Sequence, residues 1–134
     1  MISPTTRIHI SKEHRSIYEQ LAKRGNDNPE NHPFPTMKDL FMTAAVIGMK
    51  EGKHKKVSGP EAIFSASVFD DKNDIPILAS IAFAHNNDFS TLFNENEIIK
   101  IAEEYANGGI LILRRELIEK SGRVMNNLMN YLLL

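Results

Sequence analysis

Apolar positions recur at helical or strand spacing along most of this chain, and the clearest run is Phe34 to Lys50. Leu40, Phe41, Ala44, Ile47 and Gly48 fall at the three-to-four-residue intervals of one broad helical face. Both ends of the run are marked. Thr36 is placed to accept an orphan N–H of the first turn, and Asp39 answers back as a shortened capping box that suits the positive end of the helix dipole. Lys50 closes the run, and Glu51-Gly52 leads into a cationic turn, Lys53-His54-Lys55-Lys56.

Upstream, Thr6 to Ser11 alternates polar and apolar residues as a half-buried strand does. Ile8 and Ile10 face the core in that reading, while Arg7 and His9 face outward. Ser11 is expected to cap a helix with Ile17, Tyr18 and Leu21 as its stripe and Gly25 as its stop. Asn26 to Pro35, with three prolines and three asparagines, is a loop that is long for so small a domain. Strand, helix, loop, helix is the order of a ribbon-helix-helix DNA-binding module, in which two chains pair their strands into a ribbon that enters the major groove. Arg7 and His9 would then meet base edges, and Thr36-Met37-Lys38 would meet a phosphate. The competing reading is a strand that pairs elsewhere in the same fold, and the long loop favours it.

Downstream, Ser58-Gly59-Pro60 breaks the chain. Ala62 to Phe69 is apolar without a clean period, so a short strand and an irregular segment both fit. Asp70-Asp71-Lys72-Asn73-Asp74 is an acidic turn; it lacks the glycine and distant glutamate of a calcium loop, and no downstream Glu-x-Lys supports a nuclease-like metal site. Asp74 is expected to cap a helix from Ile75 to about His85, with Pro76 early in it where proline is tolerated. That helix is apolar nearly all round and is expected to be largely buried. Asn94-x-x-Glu97 starts another helix carrying Ile98, Ile101, Ala102 and Tyr105, and Asn107-Gly108-Gly109 is expected to end it. Ile110 to Lys120 favours a helix over a strand. Ser121-Gly122 breaks that helix, and Val124 to Leu134 forms a last apolar helix. Its Leu128, Met129, Tyr131 and Leu132 pack on the body or form an interface with another chain.

Composition then narrows the function. At 134 residues with 42% apolar and 25% charged side chains, the chain reads as a single domain, residues 1–134, with a core that needs no disulfide or metal. Within it, residues 6–56 form the strand-helix-loop-helix and basic turn, 57–120 the helical remainder and 121–134 the apolar C-terminal helix. Zero cysteines exclude thiol nucleophiles and cysteine-held zinc and fit the cytoplasm. The N-terminal residues show no secretory signal, and no apolar run approaches the roughly 18 residues of a membrane span. A net charge of −1 gives no global pull on nucleic acid, so such binding must come from local patches. Gly-rich phosphate loops, Gly-x-Ser-x-Gly and His-Glu-x-x-His are missing. The five histidines are scattered, and adjacent Glu103 and Glu104 point in different directions on a helix. No catalytic residue, metal ligand or cofactor is expected.

Several of these pieces together resemble the DNA phosphorothioation-associated protein 4 family, also called dnd system-associated protein 4. They are the first strand and helix, Phe34-Pro35-Thr36-Met37-Lys38-Asp39-Leu40-Phe41-Met42 running on to Lys50 and the basic turn, and Glu103-Glu104-Tyr105-Ala106-Asn107-Gly108-Gly109-Ile110 with Leu113-Arg114-Arg115-Glu116-Leu117. The likeness spans about residues 7 to 119. It implies a small accessory component encoded beside bacterial phosphorothioate-modification and restriction systems that act against phage, and it brings no catalytic residue.

The fold expected is mainly α, a single compact domain of five to six helices with a short N-terminal strand, ribbon-helix-helix-like at its N-terminus on the first of the two readings. The function expected is that of a non-enzymatic DNA-associated accessory protein, dimeric, touching the backbone through Arg7, His9, Lys38, Lys53, Lys55 and Lys56. The alternative is an adaptor within a larger defence complex, using Leu128, Met129, Tyr131 and Leu132 as its interface. DNA, other defence-system proteins and a second copy are the expected partners, and a membrane is not.

Overall fold

In the computed structural model, residues 2–22, 28 and 30–133 are described. Strand β1 (Arg7–Ser11) runs through a short 3-10 turn into helix α1 (Arg15–Leu21), and helix α2 (Met37–Glu51) follows. Strand β2 (Pro60–Ser65), α3 (Asp74–Asn86), α4 (Glu95–Leu113) and α5 (Val124–Leu133) complete the order. The chain is mainly α, a single compact domain with one small two-stranded sheet. Gly25, the expected stop of α1, lies outside the described residues, as do Asn26, Asp27 and Pro29 of the long loop and Leu134 of the last helix. What is described shows the chain returning to itself: Phe34 N–H donates to the Leu21 carbonyl at 3.1 Å, and Ala22 bridges Phe34.

β1 pairs antiparallel with β2 of its own chain, Ile8 opposite Phe64 and His9 opposite Ala62, with Ile63 as the unmatched residue of a bulge. This is the second of the two readings of the first strand. Ile8 and Ile10 are buried, and the His9 N–H donates to Glu103 Oε2 at 2.6 Å. One edge of β1 is therefore taken by β2, and a carboxylate from α4 occupies the other at His9, where a ribbon with a second chain would have to pair. Ser11 does not cap a helix. Its buried hydroxyl accepts from the Ser58 N–H at 2.9 Å instead, and helical geometry proper starts only at Arg15.

α2 is the centre of the molecule. Thr36 accepts from the Asp39 N–H at 3.1 Å and donates its own hydroxyl proton to the Asp39 carboxylate, as its spacing led one to expect. Gly52 ends the helix with φ of 67°, a left-handed turn in which an L side chain is strained. The face made by Leu40, Phe41, Ala44, Ile47 and Gly48 is buried, most of it against α4.

α4 differs from expectation in one decisive way. Asn94 caps it through the Glu97 N–H at 3.1 Å, as its pattern requires, but Asn107-Gly108-Gly109 does not end it. The helix runs through them to Leu113 and continues as a π-helical turn over Arg114–Ile118. The glycines are there for close approach. A Cβ on Gly109 would stand 1.8 Å from the Ala44 carbonyl oxygen, and one on Gly48 would stand 2.0 Å from that of Tyr105. The two backbones touch where α2 and α4 cross, so only glycine fits at Gly48 and Gly109.

α3 is also corrected. Asp74 begins the helix rather than capping it, and its carboxylate accepts from the Asp70 N–H at 2.8 Å. Only Leu78, Ile81 and Ala82 are buried, because α3 touches the core along one side; Ile77 is 41% exposed, and Phe83 stacks on Phe89 of a 3-10 turn, Phe89–Phe93. β2 resolves the apolar stretch after Ala62 into strand up to Ser65 and a 3-10 turn beyond it.

Candidate nucleic-acid interface

The segment after α2 carries the cations and makes no regular structure of its own, yet its backbone is held at many points. Lys53 N–H donates to the Gly48 carbonyl at 2.8 Å, Lys55 N–H to the Glu104 carbonyl at 3.1 Å, and Ser58 N–H to Ser11. From the other direction, Asn107 Nδ2 donates to the carbonyls of Lys56 at 2.9 Å and Lys55 at 3.3 Å. A Cβ on Gly108 would meet the Lys53 carbonyl oxygen at 2.0 Å, so the loop lies directly on the α4 backbone.

Asn107 is itself oriented from below. With both amide protons directed to carbonyls, its Oδ1 is the acceptor for Nδ1 of buried His14 at 2.9 Å, which places the proton of that imidazole on Nδ1. Burial holds His14 below its ordinary value, so the neutral ring is the form that fits. Beside this sits a second network. His54 Nε2 donates to Glu104 Oε1 at 2.7 Å, the His54 ring stacks on His85 with centroids 4.6 Å apart, and His85 Nδ1 shares a 2.7 Å hydrogen bond with the Tyr105 hydroxyl. Histidines scattered in sequence thus join loop, α3 and α4.

The backbone is fastened while the cations stay free. Among the described residues Lys53, Lys55 and Lys56 are exposed and form no ion pair. Two cavities flank the loop. One of about 340 Å³ is lined by Lys53, Lys55, Gly108, Leu111, Ile112 and Arg115, with His54 at its rim. The other, about 460 Å³, takes in His9, Lys56, Lys100, Glu103 and Glu104.

The remaining residues expected at a DNA surface fall elsewhere. His9 lines the second cavity, with Nδ1 3.5 Å from Glu103. Arg7 is exposed at the far end of β1, about 13 Å from the Ser11 end at strand rise. Lys38 sits at the opposite end of α2, about 20 Å of helix from the loop, and its ammonium is held by Asp74 at 2.9 Å. The structure thus gathers Lys53, Lys55 and Lys56, with His9 at their edge, and leaves Arg7 and Lys38 apart. In the acidic turn, Asp70 accepts from Lys72 and Asn73, and no group of three metal-ligating side chains occurs among the described residues.

Lys100, Glu104, Asn107 and Arg115 were missed. A signal for most of them is present: Lys100, Glu104, Gly108, Leu111 and Arg115 recur at spacings of four, four, three and four, one stripe of a helix. Ending the helix at the glycines cut that stripe in two.

Among the described residues Glu103 is the most perturbed carboxyl group. Burial pushes its carboxyl up to about 7, Glu104 adds to the effect, and the His9 N–H opposes it. The folded chain therefore holds this proton more tightly than the unfolded chain, whose group titrates near 4.5. Stability from this group is full below about pH 4.5, declines up to about pH 7 and is flat above, a loss of at most on the order of 3 kcal/mol. Glu103→Gln keeps an acceptor for His9 and carries no charge. We expect it to melt some 3–10 °C above wild type at pH 8, with the difference shrinking towards zero near pH 4.5. A gap independent of pH would mean that the carboxyl is not titrating in that window.

A family model described as DNA sulphur modification system-associated protein 4 matches residues 7–134. The chain belongs to this family. The match bears out the resemblance carried by the sequence and extends it through α5, beyond residue 119. Neither a search of curated proteins nor one of solved structures finds a match. Among the described residues no helix is long and apolar enough to cross a membrane.

Proposed function

We propose that this member of the family is a non-enzymatic accessory component of a bacterial DNA sulphur modification and defence system, and that it holds duplex DNA by its phosphate backbone across the loop Lys53–Lys56. The observation that carries this is the combination of a fastened backbone with unpaired lysines. A loop already ordered by Asn107, Glu104 and Gly48 loses little freedom on binding, and its three ammonium groups have no acid to leave. With a net charge of −1, the pull on phosphate must come from a local patch of this kind. Arg115 and Lys100, exposed on either side, extend the same surface.

A second reading, an adaptor that docks on a larger protein, is favoured by a different surface. Val46, Ile77, Met129, Leu132 and Leu133 are each more than 40% exposed, and several border a cavity of about 870 Å³ between α2 and α5. Of the expected interface residues, Leu128 is buried and Tyr131 half-buried, so only Met129 and Leu132 are free to meet a partner.

Fluorescence anisotropy with a labelled duplex at two or more salt concentrations tests the first reading. Wild type is expected to lose affinity steeply as salt rises, and a Lys53→Gln, Lys55→Gln, Lys56→Gln variant to bind at least ten-fold more weakly at low salt with a slope shallower by about 2–3. Absence of binding at low salt, or a variant that matches wild type, overturns it. A Leu132→Asp, Leu133→Asp variant is expected to bind DNA as wild type does; were its DNA binding lost as well, the two surfaces would not be separate.

A further inference from the structure

The cavity between the loop and the end of α4 has two kinds of wall. Its lining combines the cations Lys53 and Lys55 of the loop and Arg115 of the π-helical turn with half-buried Leu111 and buried Ile112 of α4. A plain phosphodiester is served by the first wall only, since both its non-bridging oxygens are strongly hydrated and gain nothing from a hydrocarbon surface. A phosphorothioate diester has the same charge but replaces one of those oxygens with sulfur, which is larger, more polarisable and more weakly hydrated. Such a group keeps its remaining oxygen on the cations and lays its sulfur on Leu111 and Ile112.

We propose that this cavity recognises a phosphorothioate linkage in DNA, a reading that rests on the backbone contact proposed above and adds a preference to it. The cations supply affinity for any phosphate, and the apolar wall supplies the discrimination. Discrimination by one modest apolar contact is worth about ten-fold. The geometry also imposes handedness. Phosphorus bearing one sulfur is stereogenic, and Leu111 and the lysines hold different positions in the lining. One diastereomer places sulfur against Leu111 and Ile112, and the other turns it towards the lysines. A cation-only surface has no means of telling the two apart.

Duplexes of one sequence are compared by anisotropy at a single salt concentration: unmodified, or carrying one phosphorothioate of either configuration. One diastereomer is expected to bind wild type about ten-fold more tightly than the unmodified duplex, with the other close to the unmodified one. Leu111→Asn, at a half-buried position where the polar amide reaches water, is expected to abolish that preference while leaving affinity for unmodified DNA within about two-fold. Inorganic thiophosphate, added as competitor, is expected to displace the duplex no better than inorganic phosphate does, because the linkage is read as part of the backbone. Equal binding of all three duplexes overturns this inference and leaves the backbone reading standing. Failure of every duplex to bind overturns both. A preference that survives Leu111→Asn, or displacement by free thiophosphate alone, shows that the linkage is not read at this wall.

Discussion

Gly109→Ala is expected to abolish the native fold: the helical circular-dichroism signal should be lost or the urea midpoint lowered by more than half. The added methyl would stand 1.8 Å from the Ala44 carbonyl oxygen and 2.9 Å from the Gly48 amide nitrogen. Both are main-chain atoms in the middle of α2, so no side chain can swing aside. Relief requires the two helices to part along their whole crossing, and that crossing is the largest contact in the molecule. Overpacking against side chains costs about 1–3 kcal/mol; against backbone we place it above about 3, a large share of the roughly 5–15 kcal/mol that holds a domain together. Gly52→Ala is the matching control. Nothing stands within 4 Å of its Cβ position, so it carries only the strain of a left-handed turn, about 1 kcal/mol. Similar midpoints for the two variants would show that α2 and α4 separate easily, contrary to the close fit described.

Asn107→Leu is expected to have the next largest effect, and to divide between stability and binding. The side chain has the same branched outline and favours a helix more strongly than asparagine does, but it removes the acceptor for His14 Nδ1 and the donor for two loop carbonyls. His14 is 3% exposed and is left with an unpaired buried proton. Leaving such a group unsatisfied costs about 1–3 kcal/mol, and the loop carbonyls, which can reach water, add less; a total near 2–4 kcal/mol is expected in urea unfolding. Affinity for DNA should decrease about three- to ten-fold although every lysine remains, because the loop must now be ordered at the moment of binding. A variant with full affinity would indicate that the fastening by Asn107 is structural alone.

Legibility in this sequence follows the range over which a residue acts. The caps at Thr36 and Asn94 were legible because cap and recipient are three residues apart, and both form as their spacing requires. The alternation of β1 correctly buried Ile8 and Ile10, but it could not say that the partner strand lies some fifty residues on in the same chain. Asn107-Gly108-Gly109 carries every local mark of a helix stop. Its residues are instead set by what lies across from them: Ala44 and Gly48 on α2, Lys53 on the loop, His14 near β1. Lys38 looked free because Asp74 is far away in sequence, and the pairing of His54 with Glu104 and His85 was hidden for the same reason. The basic loop itself was visible from composition. What made it a candidate surface, its attachment to α4, was not.

The crossing of α2 with α4 also bears on how the chain is made. α2 ends at Glu51 and α4 at Leu113, so roughly sixty residues must be added before the groove that takes Ala44 and Gly48 exists. At about 5–20 residues per second, a ribosome leaves the apolar face of α2 unmatched for several seconds, and β1 waits nearly as long for β2. This small protein has almost no stable half to form early. Its assembly waits until α4 has been made, and until then the apolar face of α2 is in the keeping of whatever binds nascent chains.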